Sequence, residues 1–121
     1  MKDMKLGVVE SQFANLIWSN EPISTTELVK LAEERFEWKR TTTHTVINRL
    51  CEKGLFQKEN RIVTSKISRE AYYAQQSRQF VDETFHGSLP AFIAAFTGGN
   101  SLTQEEAKEI REIIKQAEEG D

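Results

Sequence analysis

The sequence predicts a mainly α protein with a small β-hairpin, namely a winged helix-turn-helix followed by a C-terminal helical dimerisation region. Three observations carry that prediction. Three helical segments precede two short β-prone runs joined at Asn60-Arg61; positive charge concentrates on the third helix and the hairpin; and the helices after the hairpin are apolar on one side but short. Few Gly and Pro, a high charged fraction and 121 residues fit one helix-rich chain of ordinary domain size.

The overall charge of −3 hides a strong segregation. Residues 38–69 hold eight cations against two carboxylates, a net +6, while 1–37 carry −3 and 70–121 carry −6. A polyanion responds to the local field, so the basic middle is the informative part. The single cysteine, Cys51, excludes an internal disulfide framework and a Cys-rich metal site. The first residues, MKDMKLGVVESQF, contain no long apolar run, so neither a signal peptide nor a spanning helix is expected and the default compartment is cytoplasmic.

Each element has its own signal. Leu6, Val9, Phe13, Leu16 and Ile17 recur at helical spacing over Leu6 to Trp18, and Ser19-Asn20-Glu21-Pro22 ends that helix. Ser24-Thr25-Thr26-Glu27 has the form of a capping box opening a second helix to about Phe36, with Leu28, Leu31, Ala32 and Phe36 inward. A third helix over Arg40 to Lys53 stops at Gly54, with Thr43, Val46, Ile47 and Leu50 inside. Leu55 to Glu59 and Ile62 to Ile67 form the hairpin. Ser68 to His86 is a fourth helix, Ala91 to Phe96 a short apolar fifth, and Thr103-Gln104-Glu105-Glu106 caps a sixth to about Glu118. The expected domains are therefore 1–70 and 71–121. Some 50 residues of short helices bury little core alone, so a second copy of the chain is the expected partner, through Phe80, Phe92, Phe96, Ile110, Ile113 and Ile114.

No enzyme is predicted. His44 and His86 lie in different elements, Cys51 is two turns from His44, and no nucleophile, base and orienting group assemble. No Gly-rich phosphate loop, HExxH or CxxC occurs, and no cofactor or metal is implied. The outer face of the third helix carries Thr41, Thr42, His44, Thr45, Asn48 and Arg49, flanked by Lys39, Arg40 and Lys53. Short hydroxyl and amide side chains approach base edges closely, threonine methyls pack on thymine methyls, and the cations neutralise phosphates. Lys58 and Arg61 of the hairpin are the expected backbone contacts. Taken alone, such a polar helix face is simply solvated surface; its position before a basic hairpin makes double-stranded DNA the expected partner. Trp18, Trp38, Phe13 and Phe36 read as packing, and Cys51 as a small, partly buried residue.

Several stretches, "ESQFANLIW", "TTTHTVINRLCEKGLF", "SLPAFIAAF" and "LTQEEAKEIREII", resemble the penicillinase-repressor (BlaI/MecI/CopY-type) family of bacterial winged-helix regulators, from about Leu6 to Lys115. The most specific pattern is matched by Thr42, Thr45, Val46, Arg49, Leu50, Lys53, Gly54 and Leu55. The resemblance implies a homodimeric transcriptional repressor acting on operator dyads with TACA/TGTA-like half-sites, controlling β-lactam-response or metal-homeostasis genes. It also implies a membrane sensor-protease system as a signalling partner, with the regulatory cleavage bond at Ala95-Phe96, where Ala stands in place of the family's Asn. The C-terminal cysteine motifs of copper-responsive members have no match in the final AEEGD, and His44 replaces a residue often basic in the family. Two other readings stay open from the residues: a winged helix serving as a protein-interaction module in a larger assembly, and a small-molecule-responsive regulator.

Overall fold

A computed structural model describes residues 4–120. Its elements run α1 (Val8–Asn20), β1 (Ile23–Ser24), α2 (Thr25–Phe36), α3 (Arg40–Glu52), β2 (Phe56–Glu59), β3 (Ile62–Ser65), α4 (Arg69–Phe85), α5 (Leu89–Thr97) and α6 (Gln104–Glu119). Two compact units result, residues 1–77 and 78–121, with the division inside α4.

The first unit has one hydrophobic core. Phe13, Ala14, Leu16 and Ile17 of α1 meet Leu28 and Ala32 of α2, Val46, Ile47 and Leu50 of α3, then Leu55, Phe56 and Val63 around the hairpin. Tyr72 of α4 joins the same cluster, and its hydroxyl donates to the Met4 carbonyl at 2.9 Å. Phe36 and Trp38 stack beside Phe13, with Trp38 and Phe13 ring centres 5.1 Å apart. Trp18 lies 5.2 Å from Phe56 and satisfies its indole N–H on the Ile67 carbonyl at 3.0 Å. Val9 departs from its sequence-based assignment, being 49% exposed, because the buried stripe of α1 begins one turn later at Phe13.

The helix ends follow local chemistry. The Ser24 hydroxyl accepts from the Glu27 amide at 3.1 Å, opening α2 as its capping sequence predicts. Gly54 ends α3 with φ +89°, a backbone conformation that costs a residue with a Cβ, and the Leu55 amide reaches back to the Leu50 carbonyl at 3.2 Å. Thr103 and Glu106 form a complete capping box at the start of α6. Helix α5 begins earlier than its apolar run, at Leu89, since Pro90 sits in the first turn where no amide is needed and Ser88 caps the Ala91 amide.

The hairpin is part of a three-stranded antiparallel sheet in the order β1-β3-β2. Strand β1 has only two residues, Ile23 paired with Val63 and Ser24 with Ile62, and so is too short to leave an alternating pattern in the sequence. Glu21 reinforces this edge by accepting from the Ser65 amide at 2.7 Å and from its hydroxyl. Strands β2 and β3 close through Glu59 and Ile62, with Asn60 and Arg61 both at positive φ, 52° and 65°. Such a two-residue turn has the twist that neighbouring strands need.

In the second unit, no residue of α5 or α6 is buried. Phe80, Phe85 and Phe92 pack edge to face, with ring centres 5.6–6.0 Å apart, and Phe96 lies 6.0 Å from Phe92.

Leu50 is fully buried in α3, whereas Thr42 of the same helix is exposed. Leu50→Ala is expected to lower unfolding free energy by about 2–5 kcal/mol through the cavity it leaves. Thr42→Ala should stay within about 0.5 kcal/mol. Urea titrations of the two variants check the assignment of faces.

Candidate nucleic-acid interface

The inner residues of α3 fix where its outer residues point. Thr43, Val46, Ile47 and Leu50 are all buried, and the Thr43 hydroxyl donates to the Lys39 carbonyl at 3.3 Å. With 3.6 residues per turn, that stripe turns Thr41, Thr42, Thr45, Asn48 and Arg49 outward, and all five are exposed. Lys39 precedes the helix and Arg40 begins it, both exposed; His44 is half-buried. Thr45 donates to the Thr41 carbonyl at 2.9 Å, which uses its one hydroxyl proton and leaves the oxygen able to accept.

The wing is tied to this helix. Lys58 Nζ donates to Asn48 Oδ1 at 3.1 Å, so the amide of Asn48 is oriented with its oxygen toward the hairpin. Arg40, His44, Lys58 and Arg61 converge on one cleft of about 450 Å³, completed by Thr25, Thr26, Val29 and Asn60. Three cationic side chains, Arg40, Lys58 and Arg61, border this open polar cleft and give it a positive field.

Thr25, Thr26 and Asn60 belong to this cleft, although the sequence marks them only as helix cap and turn. They reach it through the short β1–β3 ladder, where the Thr25 amide donates to the Arg61 carbonyl at 2.9 Å. A β-ladder two residues long leaves no periodic signal to find.

Arg61 occupies the second central position of the turn at φ 65°. Glycine is the favoured residue there, and a side chain costs about 1–2 kcal/mol.

One flanking cation, Lys53, is engaged by the fold, and Arg49 is shared between the open face and Glu10. Lys53 Nζ donates to the Lys5 carbonyl at 2.8 Å and lies 3.6 Å from Glu10, so the fold rather than the open face engages it. Arg49 is 53% exposed along its side chain, with Nη1 3.6 Å from the other oxygen of Glu10. Glu10 was not marked by the sequence, because its partners lie some 40 residues away. Burial raises its carboxyl pKa, but the Gly7 amide and the Lys53 and Arg49 charges outweigh burial and leave it below the ordinary value of 4.5. Burial also pushes the half-buried Cys51 thiol up, away from the reactive thiolate.

Of the residues expected at a dimer contact, Phe80, Phe96, Ile110, Ile113 and Ile114 are exposed at 50, 67, 37, 63 and 53%, and Phe92 is half-buried. Ala95 and Phe96 lie in the last turn of α5. Among the described residues, no helix is long and apolar enough to cross a membrane. No group of three or more His, Cys, Asp or Glu among them is placed to hold a metal ion.

Three helices, a two-stranded wing and a short strand completing the sheet define the winged helix-turn-helix class. The chain belongs to the penicillinase repressor family, whose model matches residues 6–116. It is similar to the methicillin resistance regulatory protein MecI of Staphylococcus aureus, 25% identical over 117 residues that span 93% of this chain and 95% of MecI. It is also similar to the penicillinase repressor of Bacillus licheniformis, 27% identical over 111 residues, 88% of this chain and 87% of the relative. Among solved structures, the solution structure of monomeric Bacillus licheniformis BlaI with the blaP half-operator aligns with a TM-score of 0.49 and 28% identity. That alignment covers 60% of this chain and 94% of the other.

The lowered pKa of Glu10 makes a signed prediction. Its stabilisation is fully present above 4.5 and is lost as pH falls through the lower folded-state value. Wild type should therefore melt higher than Glu10→Gln at pH 7, with the gap in Tm closing as pH falls below 4.5. Melting curves across pH 7 to about 3 measure this, and a gap that persists unchanged would place the stabilisation elsewhere.

Proposed function

We propose that this chain is a DNA-binding transcriptional repressor, working as a cytoplasmic homodimer on a two-fold operator. The observation that carries the reading is the joint face made by α3 and the wing. Thr41, Thr42, Thr45, Asn48 and Arg49 project together, beside a cleft lined by Arg40, His44, Lys58 and Arg61. Helix α3 lies in the major groove, its hydroxyls and amide reading base edges, while the wing and the cleft take backbone phosphates. Family membership and relatives named as repressors support the same reading.

The homodimer rests on the second unit. Its three helical segments leave Phe96, Ile113 and Ile114 more than half exposed and bury nothing in α5 or α6. Apolar helices without a core of their own are stable when a second copy supplies the missing face. Two copies then present two reading helices to the related halves of a dyad. The half-sites of the TACA/TGTA type and the control of β-lactam-response or metal-homeostasis genes are what the family resemblance implies for the targets. It likewise implies a sensor-protease partner, whose cleavage bond in the family falls at the position of Ala95-Phe96, where this chain lacks the family's Asn.

Mobility-shift titrations on an operator selected from random duplexes test the reading. Arg49→Ala is expected to weaken binding by about 1–3 kcal/mol, and Lys58→Ala to reduce the slope of log affinity against log salt by about 1. Salt-independent or undetectable binding of the wild-type chain would favour a protein-interaction module instead. Arg61→Gly should do two opposite things. It relieves the turn, raising stability by about 1 kcal/mol, and it weakens DNA binding by removing a cation from the cleft. A variant no more stable, or one that binds DNA as well as wild type, contradicts the assignment of Arg61.

For the dimer, sedimentation equilibrium of Ile113→Asp/Ile114→Asp should show a shift from two copies toward one. An unchanged mass would remove α6 from the contact.

A further inference from the structure

Glu10 sits at the start of α1, outside the face proposed to meet DNA, yet it faces Arg49 of that face and Lys53 beside it. Oε2 is 3.6 Å from Arg49 Nη1 and Oε1 is 3.6 Å from Lys53 Nζ. The Gly7 amide donates to Oε1 at 3.3 Å, which holds the carboxylate in place. Oε2 is buried and, among the described residues, accepts no hydrogen bond, so its charge is balanced through space by the Arg49 guanidinium. Only 20% of the Glu10 side chain is exposed, so solvent screens this charge less than it would a surface carboxylate.

The consequence for binding follows from Coulomb's law. A carboxylate within 4 Å of a guanidinium offsets part of the positive potential that a phosphate would meet there. Phosphate attraction is the sequence-independent part of DNA affinity, whereas base-edge contacts carry the discrimination. A fixed negative charge behind Arg49 therefore subtracts from the first term and leaves the outward Thr and Asn contacts untouched. We infer that Glu10 is a specificity-determining counter-charge, which restrains non-specific DNA binding by this chain through Arg49 and Lys53. The inference rests on the DNA-binding reading above.

The test measures binding of the full chain to a random-sequence duplex over a salt series, with folding of each variant checked by its melting curve. Glu10→Gln, which keeps the size and loses the charge, is expected to bind about threefold to tenfold tighter at low salt, with a steeper slope of log affinity against log salt. Glu10→Asp keeps the charge and should bind as wild type does. The gain from Glu10→Gln should disappear in the Arg49→Ala/Lys53→Ala background, since the charge acts through those cations. Equal or weaker binding by Glu10→Gln, or a gain that survives without both cations, overturns the inference while the DNA-binding reading stands. Wild-type chain that binds no duplex at low salt overturns that reading and this inference together.

Discussion

The burial of one stripe of α3 is the constraint on which the rest depends. Thr43, Val46, Ile47 and Leu50 close against Phe13, Ile17, Leu28 and Ala32, and this packing sets the rotation of α3 about its own axis. A rotation of one residue, about 100°, would bring Thr42 or His44 into the core and cost several kcal/mol in lost apolar burial and unmet polar groups. The outward direction of Thr41, Thr42, Thr45, Asn48 and Arg49 is thus enforced from the inside. The core exists in part to aim those side chains.

The wing depends on the same core from the other side. Phe56 and Val63 anchor β2 and β3 in it, while β1 and Glu21 cover the side of β3 away from β2. The turn at Asn60-Arg61 is carried outward, and Lys58 is close enough to α3 to hydrogen-bond Asn48. Helix α3 and the wing are therefore coupled through one core and one hydrogen bond. The cost of keeping Arg61 at positive φ is sustained by the strands on either side.

Much of the fold was legible because its signals are local. Each of the five longer helices carries a cap, a break or an apolar stripe in its own residues, and the split of α3 into buried and exposed faces followed directly from spacing. The hairpin was legible from two β-prone runs around Asn60-Arg61. What stayed hidden is non-local. Strand β1 is defined only by pairing with residues some 40 positions on, and it brings Thr25 and Thr26 to the cleft. The role of Glu10 depends on Arg49 and Lys53 arriving beside it, and no spacing rule announces such a meeting. Lys53 shows the opposite error of pattern reading. It lies at the basic end of α3, but its ammonium turns to the Lys5 carbonyl because Gly54 ends the helix against the N-terminal segment.

The central claim is that one face, made by α3 and the wing, meets the double helix. Amide chemical-shift mapping tests it most directly, with isotope-labelled chain titrated with duplex DNA and every backbone resonance followed. The account predicts that the largest shifts fall on residues 40–49, 58–61 and the first turn of α2, with Gln12, Ser19 and Arg35 on α1 and α2 little affected. Shifts centred on α1 and the exposed side of α2, with 40–49 and 58–61 silent, would contradict it.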